Sequence, residues 1–387
     1  MKAARVLIIE PVLKHYRLSF YEQLHETLLK EGISLRVAYG DLTPGSSVAN
    51  NTVLDPRIGF QVKNRWFCKR LLYQAVWPEV KEADLVIVDQ ALKHLNNHFL
   101  VLLSRLGLKK VAYWGHGRNR QSKEGSLAEW FKSKTLARVD WWFAYSEGTA
   151  DYLLSRKVPK EIITNVQNAV DTSRFSREVE GISEKEKARL LSDLSLPKEA
   201  IVGLYCGSLY DNKRIDFLIE TAVLLKKKLP SFFLLVIGDG PKENNGGPVT
   251  SQRPLIEEAA RRHSWIRYLG PKFGQEKAAY FALAQAFLHP GAVGLAILDS
   301  FAAGLPFFTT DIPLHGPEIE YLRNQENGLL LPDDAGAFSE GVLEALLDEE
   351  RRSKLHLGAR AAGKNLTLDK MVDNFKNGVL SCLGGIA

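Results

Sequence analysis

Short apolar runs alternate with amphipathic stretches along almost the whole chain. The runs at 5–9, 34–39, 84–88, 110–114, 141–145 and 162–166 have strand length and are dominated by aliphatic and aromatic residues. Between them, stretches such as 18–29 and 97–106 place apolar residues at the three-to-four spacing of one helix face. A second series of runs follows at 201–206, 232–237, 266–269, 286–289, 305–309 and 328–331. Strands that are apolar on both faces need helices on both sides, so this alternation predicts parallel sheets in an α/β fold. Two successive series predict two doubly wound domains, with the boundary between Gln167 and about Leu196, in a polar, charged stretch at 173–198. Ligands of such sheets bind outside the carboxyl ends of the strands. The segment 242–253, rich in Gly, Asn, Pro and Ser, reads as a surface loop. No internal repeat of 20–50 residues stands out, which excludes a solenoid.

Length agrees with two domains, since 387 residues exceed one comfortable core. Hydrophobic residues at 45% and charged residues at 25% are ordinary for a globular chain and exclude general disorder. Cys68, Cys206 and Cys382 are far apart with no C-x-x-C spacing, which excludes a disulfide scaffold or zinc ribbon and suits a reducing compartment. The apolar segment from Val6 to Ile9 is too short for a signal-peptide core or a membrane span, and no longer run follows, so a cytoplasmic location is expected. The histidines show no H-x-x-x-H spacing or acidic neighbours, so no metal is expected.

The net charge of +6 matters through its distribution. Lys63, Arg65, Lys69 and Arg70 surround Trp66 and Phe67, and Lys109, Lys110, Arg118, Arg120, Lys123, Lys132 and Lys134 follow in the same half. Two readings stand: peripheral contact with the inner face of an anionic membrane, or a solvated face with aromatics packed beneath it. No nucleic-acid partner is expected.

Candidate chemistry is concentrated in the second half. The run ending at Cys206 feeds Gly207-Ser208 and then Lys213 ahead of a helical stretch, and a helix start offers free backbone N–H groups to an anion. Lys213 would add a point charge beside a diphosphate; an ordinary loop with a solvated lysine is the alternative. The run ending at Ile237 feeds Gly238-Asp239-Gly240-Pro241, which permits close backbone approach to a ligand but is not the dinucleotide fingerprint. The run ending at His289 feeds Pro290-Gly291-Ala292-Val293-Gly294-Leu295. There the Gly294 and Leu295 amides would face a phosphate, and Asp299, a helical turn further on, would reach ribose hydroxyls. In the first half, His116 lies between Gly115 and Gly117 after a predicted strand. Tyr16 and Arg17 open the helix after the first one, where acceptor recognition competes with a solvated helix start.

The ordered set Asn168-Ala169-Val170-Asp171, 207–213, Ile237-Gly238-Asp239-Gly240-Pro241, Tyr268-Leu269-Gly270, 294–306, and Pro317-Glu318-Ile319 with Asn327-Gly328-Leu329 resembles the retaining glycosyltransferases of family four. The resemblance covers 111–334 well and the first hundred residues in general plan. It implies the GT-B fold: two facing Rossmann-like domains, here 1–168 for the acceptor and 169–366 for the donor, with a C-terminal helix, 367–387, crossing back to the first. It implies a metal-independent retaining transfer from a nucleotide-diphosphate sugar to a glycan or lipid-linked acceptor, with no further cofactor.

Residue by residue, it makes His116 and Lys213 catalytic and puts Gly207, Ser208, Lys213, Gly238, Gly240, Gly294, Leu295 and Asp299 on the donor. Tyr16, Arg17 and Arg118 go to the acceptor, and Glu318 lies near the donor. Two departures accompany it: Ser208 stands where the family usually has arginine, and Gly291 where it has the first glutamate of its E-x7-E pair. A GT-B epimerase or hydrolase, or a non-catalytic nucleotide-sugar-binding subunit, are the alternative functions.

Overall fold

The computed structural model describes residues 3–41, 53–68, 70–117, 136–240 and 250–384. The chain divides into two compact units, Met1–Asp171 with Leu368–Ala387, and Thr172–Thr367.

The first unit is built on strands β1 (Ala4–Glu10), β2 (Ile33–Gly40), β3 (Gly59–Val62), β6 (Leu85–Asp89), β7 (Lys110–Gly115), β8 (Trp141–Ala144) and β9 (Ile163–Asn165), after a separate hairpin of β4 (Asn64–Phe67) and β5 (Leu71–Gln74). The seven-stranded sheet has the order β3-β2-β1-β6-β7-β8-β9, parallel throughout. Its strands bury unbroken runs of residues, 6–9 in β1, 85–88 in β6 and 141–144 in β8, as strands with helices on both faces must. The helix Leu18–Lys30 buries Phe20, Tyr21, Leu24 and Leu28 at helical spacing.

The last helix, Leu368–Leu383, also belongs to this unit and buries Met371, Val372, Phe375, Val379 and Cys382. Phe375 stacks on Phe143 at 4.1 Å between ring centroids. Gly378 permits that approach, because a Cβ there would lie 2.6 Å from the Phe143 ring.

The stretch 63–70 falls in a hairpin that the apolar runs do not announce. Phe67 is paired opposite Leu71 and Trp66 opposite Leu72 in antiparallel register. Its anchor is Asn64, whose amide donates to the carbonyls of Pro11 (2.9 Å) and Asp41 (2.7 Å). Trp66 is half-buried and Phe67 exposed.

The second unit carries β10 (Ile201–Cys206), β11 (Phe232–Ile237), β12 (Ile266–Gly270), β13 (Ala286–Leu288), β14 (Phe307–Thr310) and β15 (Gly328–Leu331) in the order β12-β11-β10-β13-β14-β15, again parallel. Strand β14 begins at Phe307, later than the run at 305–309 suggests. Gly304 turns the chain at φ +65° and Pro306 has no N–H for the ladder. The stretch 173–198, read as a polar boundary, contains two helices, Ser173–Glu180 and Glu184–Asp193. The second is started by a capping box in which Ser183 accepts from the Glu186 N–H and Glu186 accepts from the Ser183 N–H.

Candidate functional site

In the second unit the loops after β10, β11 and β13 are sewn to one another. The Gly207 N–H donates to the Ile237 carbonyl at 3.0 Å, and the Leu209 N–H to the Asp239 carbonyl at 2.9 Å. Gly238 has φ +143°, and a Cβ there would lie 1.8 Å from the Gly207 carbonyl oxygen, so only glycine fits. A Cβ on Gly240 would meet the Ser251 hydroxyl at 1.9 Å. The Ser208 carbonyl accepts from the Tyr205 hydroxyl at 2.7 Å.

Lys213 closes a single 3-10 turn, Asp211–Lys213, ahead of the helix Ile215–Lys228. Its ammonium donates to the Ala292 carbonyl, while the Ala292 N–H donates back to Asn212 at 2.8 Å. Burial pushes the Lys213 pKa down, with the Glu318 charge acting the other way. Between these contacts sits Gly291. A Cβ on it would lie 2.4 Å from the Asn212 oxygen and 2.4 Å from the Lys213 Cα, so the expected position of a glutamate has no room for any side chain. Gly294, by contrast, faces open space.

The same loop is held from its other side by His315. The Val293 N–H donates to His315 Nδ1 at 3.1 Å and Nε2 donates to the Thr310 carbonyl at 2.8 Å. These partners require the neutral ring with its proton on Nε2. His289, under the loop, is buried among Tyr205, Phe287 and Phe307. Burial, helped by the Lys213 charge, pushes its pKa down to about 3, so it stays neutral.

Asp299 lies in the helix Ala296–Ala302, where its carboxylate pairs with Lys277 Nζ at 2.6 Å. Burial pulls the Lys277 pKa down, but the Asp299 charge, Cys206 and the hydrogen bond to Asp299 together outweigh it and leave the pKa raised. Burial pushes the nearby Cys206 thiol up to about 12.

In the first unit, a cavity of about 270 Å³ opens at the carboxyl ends of β1, β6 and β7, and its wall includes Glu10, Lys14, Arg17, Gln90, Trp114 and His116. His116 is exposed, with its ring edge-on to Tyr145 at 4.3 Å. Arg17 is 5% exposed, which overturns the solvated alternative. Its Nη2 donates to Asn168 Oδ1 at 2.6 Å, and its guanidinium lies 4.8 Å over Trp114. Tyr16 is half-buried, with the Lys14 ammonium 5.9 Å from its ring, and does not line the cavity. Arg118 lies outside the described residues.

The structure therefore brings Arg17 and His116 to one cavity, and it brings Gly207, Ser208, Lys213, Gly238 and Gly294 to the loop cluster of the second sheet. Lys277, His315, Gln90 and Glu10 were not singled out by sequence. Gln90 and Glu10 do carry a signal, being polar residues directly at the ends of apolar runs. Among the described residues, no group of three His, Cys, Asp or Glu could hold a metal ion, and no helix is long and apolar enough to cross a membrane.

Comparison with known proteins agrees with this architecture. Residues 200–348 match the family described as "Glycosyl transferases group 1". The putative glycosyltransferase EpsD of Bacillus subtilis is 27% identical over 212 residues, 53% of this chain and 51% of that protein. The GtfA subunit of a UDP-N-acetylglucosamine–peptide N-acetylglucosaminyltransferase of Streptococcus agalactiae is 23% identical, over 46% of this chain and 35% of that protein. The chain thus spans about half, or less, of the length of the curated relatives it matches.

Among solved structures, a glycosyltransferase from Rickettsia africae superposes with a TM-score of 0.71 at 15% identity, covering 99% of this chain and 100% of that one. Anabaena HepE in complex with UDP does so with a TM-score of 0.69 at 14% identity, covering 97% and 100%. With two parallel-sheet units and a match to the group 1 glycosyltransferase model over residues 200–348, the chain has the GT-B fold and carries a segment similar to that family.

Proposed function

We propose that the chain is a retaining glycosyltransferase that moves a sugar from a nucleotide-diphosphate sugar to a hydroxyl of a glycan or lipid-linked acceptor. The observation that carries this reading is Lys213, a half-buried ammonium that makes no ion pair among the described residues, fixed at the carboxyl edge of the second sheet beside a glycine turn. A diphosphate there would receive Lys213 and the amides around Gly207, Gly238, Gly294 and Leu295, with Asp299 toward the ribose. The acceptor oxygen bonds to the sugar carbon as the bond to the phosphate breaks, and the departing phosphate takes the hydroxyl proton. Charge building on that phosphate is met by Lys213 and backbone N–H groups, so no metal is required. His116 would contact the transferred sugar, and Tyr16, Arg17 and Arg118 the acceptor. The names of the relatives, among them an O-antigen biosynthesis glycosyltransferase of Escherichia coli, favour synthesis of a surface polysaccharide or glycoconjugate. The basic and aromatic residues at 63–70 favour work in the cytoplasm at an anionic membrane face.

The test is a thermal-shift panel of UDP, GDP, dTDP and ADP with EDTA present, on wild type and Lys213→Ala, followed by donor turnover with and without acceptors. A diphosphate at 100 times its Kd stabilises by about 2.7 kcal/mol. A shift with one nucleotide that disappears in Lys213→Ala supports the donor site. No shift with any of them refutes it. Gly291, which leaves no room for a sugar-facing acid, favours one rival, a binding subunit. That rival would bind nucleotide and never consume donor.

A further inference from the structure

The cavity of the first unit gathers buried polar groups that have no partner among the described residues. Trp114 is 4% exposed, and its indole N–H finds no acceptor among the described residues. Both Oε1 and Nε2 of Gln90 are likewise buried and unpartnered. Buried polar atoms are normally satisfied, so their grouping around one cavity points to a ligand that completes them.

Charge narrows the choice of ligand. The Arg17 guanidinium donates to the Asn168 amide oxygen, the Ala169 carbonyl and the Met371 sulfur, all uncharged. Lys14 reaches the hydroxyl of Tyr16. Neither cation is in an ion pair among the described residues. Of the two carboxylates on the wall, Asp89 is engaged by His94 at 2.7 Å and Glu10 accepts from the Tyr21 hydroxyl at 2.8 Å. Burial pushes the Glu10 pKa up against the pull of the Lys14 and Arg17 charges, which lessens its opposition to a bound anion.

We propose that this cavity binds the anionic substituent, a carboxylate or a phosphate, of a sugar acceptor, with Lys14 and Arg17 supplying charge and Trp114 and Gln90 supplying hydrogen bonds. The identity of the ligand as an acceptor rests on the glycosyl-transfer reading above.

The experiment is isothermal titration of the full chain with glucose, glucuronate and glucose 6-phosphate, on wild type, Lys14→Met, Trp114→Phe and Glu10→Gln. One charged sugar is expected to bind at least tenfold tighter than glucose, and which one distinguishes carboxylate from phosphate. Lys14→Met and Trp114→Phe should each weaken that ligand at least fivefold. Glu10→Gln, which mimics the neutral acid, should bind it as tightly as wild type or tighter. Binding of glucose equal to both charged sugars, a tenfold loss in Glu10→Gln, or no binding of any probe would overturn the proposal. Nucleotide thermal shifts on the same variants, which report the other unit, separate this failure from failure of the donor site and confirm that each variant is folded.

Discussion

Replacing Gly291 by alanine probes a close backbone contact between two loops of the second unit. The added Cβ would lie 2.4–2.5 Å from the Asn212 oxygen and the Lys213 Cα and carbonyl carbon, whereas unstrained contacts are about 3.5–4.0 Å. The two loops must therefore part by about 1 Å, yet the Ala292 N–H bond to Asn212 (2.8 Å) and the Lys213 bond to Ala292 cross the same gap. Overpacking costs about 1–3 kcal/mol, and leaving one buried hydrogen bond unmade adds about 1–3 kcal/mol. The loss of unfolded-state freedom on replacing glycine returns less than about 1 kcal/mol. The net expectation is a destabilisation of about 2–5 kcal/mol. In a unit the size of Thr172–Thr367 this lowers the melting temperature by roughly 4–20 °C. Differential scanning calorimetry reads this directly. Gly294→Ala, whose Cβ meets nothing within 4 Å, is the control and should melt like wild type. A Gly291→Ala protein melting within about 1 °C of wild type would refute the packing argument, and with it this explanation of the missing glutamate.

Two further outcomes follow from burial. His289 has a folded pKa of about 3 against an ordinary 6.5, so between those values the unfolded chain holds a proton that the folded one does not. Its contribution is complete above about pH 6.5 and is lost as pH falls toward 3, at about 1.4 kcal/mol per pH unit. Urea unfolding of His289→Gln from pH 4 to 7 should show a correspondingly flatter acid limb, and an unchanged slope contradicts this. Of the three cysteines, Cys206 and Cys382 are each pushed up to about 12 by burial, while Cys68 is exposed. A disulfide reagent at pH 8 should therefore find one fast thiol in the native protein. That phase should vanish in Cys68→Ser, and its survival there would show that a buried thiol is reached.

Much of the framework was legible because strands buried on both faces need uninterrupted apolar side chains. The runs at 201–206, 232–237 and 328–331 became β10, β11 and β15 with those bounds. The hairpin was not legible, since Arg65 and Phe67 point outward and its anchor, Asn64, bonds to Pro11 and Asp41, far off in sequence. The helices at 173–193 were hidden by low apolar content: neither has a fully buried residue.

By itself, the sequence determined the alternation of strand and helix and placed glycine turns at strand ends, because periodicity and backbone freedom are local properties. Gly238, at φ +143°, is such a local requirement. Only the tertiary structure decided that Gly291 has no room for a side chain, because the obstacle is the backbone of Asn212 and Lys213. It likewise decided that Arg17 lies under a cavity and not in solvent, and that Asp299 is held by Lys277. Each of these depends on partners brought together from distant parts of the chain, and no spacing along the sequence encodes their distance.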